Sequence, residues 1–411
     1  MKTRNQIIYI AFISLGSVSA ANAQQRLPLD SVLARVAGNP ALLAYDSKAA
    51  AQDAYATGAK NLDAPKISAG QYQVPYSFNP AGGSFMITAE QMFTNGAKLR
   101  AKENYMAALS KVTTEDKSYM KNQLVARAKQ AYYDRVVLEK KLIILQSTQS
   151  LLEYMLKDAN IRLTYGKEKL SNIYKAKADI FELDNIREQL NNEIRQKNIL
   201  LNTLMNRDQQ TDFFVDTIAA VKDYESSLTD TSALAASRSD IKSINRNIEL
   251  QHLNALVENS KRKPDFGIQA GHMFSYGAMA NQYVLMGSIS IPIFSWSSKE
   301  YKANLKGIKY EVEALQQNKM DILNQARGQL AGIQAEMGSQ KRQLNNYRVN
   351  IIPALQNSYK TALLAYEQNT GDLQPVLDGI KELQQNKMEA LDKLQALLQL
   401  QVAYEKENEK Y

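Results

Sequence analysis

Apolar residues in this chain recur at two spacings, and the change from one to the other marks out its elements. From Ala97 to Tyr165, sixty-nine residues pass without a glycine or proline. Apolar positions there fall three and four apart: Leu124, Ala128, Ala131, Val136 with Val137, Leu142, Leu145, Leu152 and Leu156. That spacing predicts one helix of roughly 100 Å, longer than any single globular core, which must pack along its length against partners as long as itself. After Gly166 a second run, Leu170 to Asn206, repeats the spacing through Ile173, Ala176, Ile180, Leu183, Ile186 and Leu190. The pair reads as an antiparallel helical hairpin with its turn at Tyr165 to Ser171.

Elsewhere the period is two. Lys66 to Tyr76 and Ser84 to Phe93 alternate around a Pro, Gly, Ser and Asn loop, and Asp265 to Tyr276 and Tyr283 to Phe294 do so around Gly277 to Gln282. Each pair predicts a strand hairpin. One face would carry Phe85, Ile87, Ala89, Phe266, Ile268, Ala270, Leu285, Gly287, Ile289 and Ile291; the other would carry Thr88, Glu90, Gln269, Ser288 and Ser290. Aromatic residues gather at the strand ends: Tyr72, Tyr76, Phe78, Phe93, Phe274, Tyr276, Tyr283, Phe294 and Trp296.

The order of elements occurs twice. A short piece from Leu27, with Asp30 or Ser31 as a candidate cap, and a restart at Asn39-Pro40 lead to a helix ending before Pro65. In the second half a helix from about Asp240 ends before Pro264. Lys299 to Asn369 is again helical in composition but holds Gly307, Gly328, Gly332, Gly338 and Pro353, which are expected to interrupt it. Gly371 marks the second turn, and Val376 to Lys406 runs back. Pro65 and Pro264 lie 199 residues apart, and Gly166 and Gly371 lie 205 apart. The chain therefore divides into residues 1–23, a first repeat over 24–208, a connector over 209–237 and a second repeat over 238–411.

Each alternating run is about ten residues long, enough to cross a bilayer as a tilted strand. Four strands cannot satisfy their own edges in lipid, so a membrane location requires closure with other copies: a dimer at least, or a trimer of twelve strands with a wider bore. A soluble sheet with one buried face satisfies the same alternation.

Composition narrows the choice. Cysteine is absent, and His252 and His272 are the two histidines, which leaves little for metal or general-base chemistry. His272 beside Met273 suggests a soft-metal pair, against the plainer role of wall lining. The net charge of +8, or +6 without Lys2 and Arg4, is spread among acids along the helices and argues against nucleic acid. Met1 to Ala23 joins Lys2 and Arg4 to about fourteen apolar residues and Ala21-Asn22-Ala23, the pattern of a cleaved secretory signal and too short for a membrane-spanning helix. No phosphate loop, metal cluster or nucleophile with a base appears, so no enzyme, cofactor or metal is expected.

Leu29-Asp30-Ser31-Val32 with Asn39-Pro40, Tyr165-Gly166 with Leu170-Ser171, Ile291-Pro292-Ile293-Phe294, and Asn369-Thr370-Gly371-Asp372-Leu373 followed by Val376-Leu377-Asp378 carry a resemblance. With the doubled order of elements, they resemble the TolC family of outer-membrane efflux proteins. The resemblance implies a mainly α chain with a small membrane β-barrel contribution, and a homotrimer whose twelve-stranded β-barrel continues as a periplasmic α-helical barrel. It further implies a Gram-negative outer membrane, contact with outer-membrane lipid, a periplasmic adaptor (membrane fusion protein) and an inner-membrane pump of RND or ABC type. The absent N-terminal cysteine implies a non-acylated member. Where some members place two carboxylates in the closing constriction, Asp378 matches one, Pro375 stands at the other, and Asp372 is the candidate to supply the second charge.

The hairpin turns are the expected docking surface for the adaptor, through Tyr165, Gly166, Leu170, Ser171, Gly371 and Leu373. Asp372 and Asp378 are the candidates for a ring of carboxylates at the pore constriction. Trp296 is expected as an interfacial anchor. A periplasmic coiled-coil adaptor or scaffold is the competing reading, but it predicts one hairpin flanked by compact domains, whereas two hairpins and two strand pairs are written here.

Overall fold

The computed structural model describes residues 26–76, 82–217, 220–225, 230–292 and 294–409. The expected signal segment and the centre of the first strand loop, Phe78 included, lie outside the described residues. The chain opens with β1 (Arg26–Leu27) and α1 (Leu29–Val36), which starts before Asp30 and Ser31 rather than being capped by either. Asp30 instead sits in the first turn, where a carboxylate favours the positive end of the helix dipole. α2 (Pro40–Thr57) is capped by Asn39, whose side chain accepts from the Ala41 N–H at 2.9 Å with proline in the first turn.

β2 (Lys66–Tyr72) and β3 (Ser84–Phe93) follow, then α3 (Gly96–Thr164), a single helix of 69 residues begun by an Asn95 cap, and α4 (Leu170–Leu204). β4 (Phe214–Val215) pairs in parallel with β1 and ties the connector to the N-terminal segment. α5 (Thr231–Ser237), α6 (Ser239–Ser260), β5 (Asp265–Ser275) and β6 (Gln282–Ser290) lead to α7 (Ser295–Asn346), α8 (Ile352–Glu367) and α9 (Leu373–Asn408). The glycines do not interrupt α7: Gly307, Gly328, Gly332 and Gly338 all lie inside it. Each glycine costs about 1 kcal/mol relative to alanine, which the packing of Ala326, Leu330, Met337 and Leu344 offsets. Only Pro353 leaves a mark. It has no N–H to give the preceding turn, and residues Tyr347–Ile351 widen to π geometry before it.

The two expected strand pairs merge into one four-stranded sheet of order β2-β3-β5-β6, because β3 and β5 pair antiparallel from Ser84↔Ser275 to Phe93↔Phe266. The helices beneath keep the same order: α2 leads into β2, β3 into α3, α6 into β5 and β6 into α7, and α2 packs on α3, α3 on α6, and α6 on α7. The sheet thus continues downwards as a layer of helices.

Midway along, α3 is enclosed on nearly every side. From Leu124 to Leu138 most of its side chains are buried, among residues of α1, α2, α4 and α9. Three charged residues go in with them and each is matched: Lys129 to Glu405 at 2.7 Å, Asp134 to Lys197 at 2.7 Å and to Gln395 and Gln399, and Arg135 to Glu139 at 3.1 Å. Arg135 also bonds Asn198 and the Phe213 carbonyl and lies 4.4 Å over the Phe213 ring, so it clasps the connector onto the long helix. Replacing Arg135 with alanine strands Glu139 without its partner and is expected to cost about 3–5 kcal/mol. The check is the thermal denaturation midpoint, set against Arg342→Ala at an exposed site, which is expected to move it little.

Candidate functional site

Two ends of this elongated subunit carry features that a buried core does not need. At the sheet, the two faces separate as the alternation predicts. Phe85, Ile87, Ala89 and Phe93 share one face with Phe266, Ile268, Ala270, Phe274, Leu285 and Ile289; Met86, Thr88, Glu90, Gln269, Met273 and Ser288 share the other. The exposure is inverted relative to a water-soluble sheet. The large apolar side chains of the first face are 36–84% exposed; on the polar face Ser84 and Thr88 of β3 are 5% and 7% exposed, while Ser288 on the edge strand β6 is exposed. Among the described residues no helix packs across either face. Gly271 shows how tight the polar side is: a Cβ there would meet Thr88 Cγ2 at 2.8 Å. A soluble sheet with one core face is therefore not what forms.

His272 stands on the outer, apolar face, edge-on to Phe274 at 4.5 Å, and Met273 on the inner one. Adjacent strand residues point oppositely, so the two cannot ligate one ion. Among the described residues no group of three metal-ligating side chains occurs and no helix is long and apolar enough to cross a membrane. Trp296 stacks on Phe294 at 4.5 Å and stays exposed at the foot of the sheet.

At the far end, α3 closes on Gly166 at φ +68°, with the Gly166 and Lys167 N–H groups donating to the Leu163 and Arg162 carbonyls at 2.9 Å. In the second turn the left-handed residue is Asn369, φ +58°, not Gly371; the Thr370 and Gly371 N–H groups both donate to the Ala365 carbonyl. Gly166 therefore corresponds to Asn369, an offset of 203 residues that also maps the end of α3 on the end of α8 and the start of α4 on the start of α9. Tyr165, Gly166, Leu170, Ser171 and Gly371 are exposed at the turns. Leu373 is not: it is fully buried with Ile173, Val376 and Leu377 and holds the two hairpins together.

The two candidate carboxylates are paired. Asp372 meets Lys169 at 3.3 Å and Asp378 meets Lys175 at 2.8 Å, and one further contact, Lys381 to Glu182 at 2.7 Å, completes a series of rungs from α9 to α4. The Lys175 ammonium, by donating to Asp378, holds that carboxyl below the usual range, while burial pushes nearby Asp179 up. Arg162 adds a tie from the first turn to the second: it donates to the Tyr366 carbonyl at 3.0 Å and to Asn369 Oδ1 at 2.8 Å, and lies 4.2 Å over the Tyr366 ring. None of Lys169, Lys175, Lys381 or Arg162 stood out in the sequence. Laying the second repeat on the first at the offset of 203 would have set Lys169 against Asp372 and Lys175 against Asp378.

With this geometry in view, the chain is similar to several solved outer-membrane channels. OprN matches at 16% identity over 93% of this chain and 90% of that one, with a TM-score of 0.76. The fold is that of the outer-membrane efflux channels. CusC shares it at 16% identity and a TM-score of 0.75, covering 92% of this chain and 91% of that one. VceC of Vibrio cholerae shares it at 14% identity and a TM-score of 0.73, covering 92% and 95%. No family model matches the sequence, and no curated protein matches it either. At such identities the efflux-channel fold is what is common, and it agrees with the TolC-family resemblance of the motifs.

Valine at Gly166 is expected to cost about 1–2 kcal/mol, because a branched side chain resists the left-handed region, and asparagine there much less. Amide hydrogen exchange over residues 160–175 checks this; equal protection in the two variants would deny the turn its constraint. A carboxyl with a lowered pKa keeps its rung above the ordinary carboxylate pKa and loses it as pH falls through the folded value. The Lys175–Asp378 rung is therefore expected to hold at about pH 5 and above and to part only as pH falls below the ordinary carboxylate value of about 3.9. With no native cysteine among the described residues, nitroxides at Ser171→Cys and Thr370→Cys report the distance directly.

Proposed function

We propose that this protein is the outer-membrane exit duct of a tripartite efflux or secretion system, passively conducting what a pump delivers. The observation that carries it is the inverted sheet: apolar side chains outside, polar ones within, and two unpaired edges at β2 and β6. Copies joined edge to edge, β6 to β2, supply the missing ladder bonds, and three of them make a twelve-stranded barrel wide enough to hold water. The helical layer, in the order of the strands, continues the bore as an α-barrel into the periplasm. Of the candidate docking residues, Tyr165, Gly166, Leu170, Ser171 and Gly371 would meet a periplasmic adaptor, through which an RND or ABC type pump in the inner membrane supplies the cargo and the energy. OprN, VceC and the open-state MtrE of Neisseria gonorrhoeae are each an outer-membrane protein or channel, which supports the location.

In this reading Asp372 and Asp378 act at the constriction as halves of ion pairs, not as a free carboxylate ring. Parting Lys169 and Lys175 from them lets α9 swing from α4 and widens the exit. In planar bilayers, Lys175→Glu is expected to raise single-channel conductance several-fold, and Lys175→Asp with Asp378→Lys to bring it back towards wild type. Recovery of the full chain as a detergent-free soluble monomer, or conductance indifferent to both variants, would overturn the duct and the gate respectively.

A further inference from the structure

At the foot of the sheet three cations gather around one cleft. A cleft of about 500 Å³ lies between the first turns of α3 and the last turn of α6, lined by Arg100, Asn104, Asn259, Arg262 and Lys263, with exposed Leu256 as an apolar patch. Its neighbours are occupied: Lys98 meets Asp265 at 2.5 Å and Lys261 meets Glu258 at 2.8 Å. Arg100, Arg262 and Lys263 are exposed and reach no carboxylate among the described residues.

The direction of the cleft follows from helix geometry. Asp265 belongs to the polar face of the sheet, so Lys98, which bonds it, points to that side. Arg100 is two residues further on, about 200° round the helix, and so turns to the apolar side. Phe93 and Phe266 end the apolar face immediately above, one short step in sequence from Gly96 and Lys263. Phe93 and Phe266 above and unpaired cations below repeat the order in which a membrane interface sets aromatic side chains and phospholipid phosphates.

We propose that this cleft binds the phosphodiester headgroup of an anionic phospholipid in the leaflet adjoining the helices. Arg100 and Arg262 grip the phosphate through paired N–H donors, Lys263 adds a point charge, and Asn104 and Asn259 supply donors to the glycerol oxygens. Leu256 and Phe266 continue the surface along which the acyl chains run. The proposal rests on the reading of the sheet as membrane-spanning.

The test uses the full-length oligomer in micelles, offered phosphatidylglycerol and phosphatidylcholine in equal amounts, with retained lipid counted by native mass spectrometry. Wild type is expected to prefer phosphatidylglycerol by about tenfold, a preference that Arg100→Gln/Arg262→Gln/Lys263→Gln abolishes and Lys309→Gln/Lys319→Gln leaves intact. All three substituted residues are exposed, so the oligomer should still be extracted from membranes. An intact preference in the triple variant overturns the site, as does displacement of the lipid by excess inorganic phosphate, which would mark a general anion site. A wild-type oligomer that retains the two lipids without preference overturns the site alone; a wild-type chain recovered as a soluble monomer that needs no micelle and retains neither lipid overturns the proposed function with it.

Discussion

An edge strand presents a row of N–H and C=O groups, and water is what normally satisfies them. The β2-β3-β5-β6 sheet has two such edges and turns its apolar side outward, so lipid, which offers no partners, is the surrounding its side chains fit and its edges do not. In the proposed duct, a ladder from another copy resolves the conflict. Strands pair at about 4.8 Å and helices pack at about 8–10 Å, so one helix per strand makes a layer wider than the sheet unless the strands tilt or the helices crowd into two ranks. The length of α3 and the burial of its middle belong to that second arrangement: below the sheet, further helices gather around it on every side.

Charge is used in two ways along the same hairpins. At the middle of α3, Lys129 and its α9 partner Glu405 are 7% and 4% exposed at the side chain, and Lys222, Tyr224 and Gln401 also reach that carboxylate, so its charge is held by a network nearly closed to water. Near the turns, Lys169, Lys175, Asp372 and Asp378 are 38–68% exposed, where a single pair is worth at most about 1 kcal/mol. Rungs of that strength hold the turns weakly, whereas the buried pair holds the middle firmly. A rigid waist and a loosely latched end thus come from similar residues, and burial alone separates them.

The elements set by local spacing were legible in the chain. Sixty-nine residues of helix, the β3 boundaries and the inside and outside of the sheet all follow from periods of 3.6 and 2. What was not legible depends on residues far apart. The β3 to β5 pairing joins segments nearly two hundred residues distant, and no local signal distinguishes it from two separate hairpins. Gly371 looked like the turn residue because glycine is the commoner choice, yet Asn369 tolerates the left-handed region and took the place. Leu373 looked like a surface contact for want of any sign that Ile173 would cover it. The five residues before Pro353 absorbed a defect that seemed sufficient to break the helix.

The offset of 203 joins equivalent positions of the two halves across the gap between α4 and α9, lysine on the first half and aspartate on the second. A half-length ancestor assembling with its own twin would have set like charge against like at both levels. Doubling the chain gave each half its own evolutionary freedom, and one sign could change without the other. Asymmetry between the halves is then what sets opposite charges against each other beside the turns.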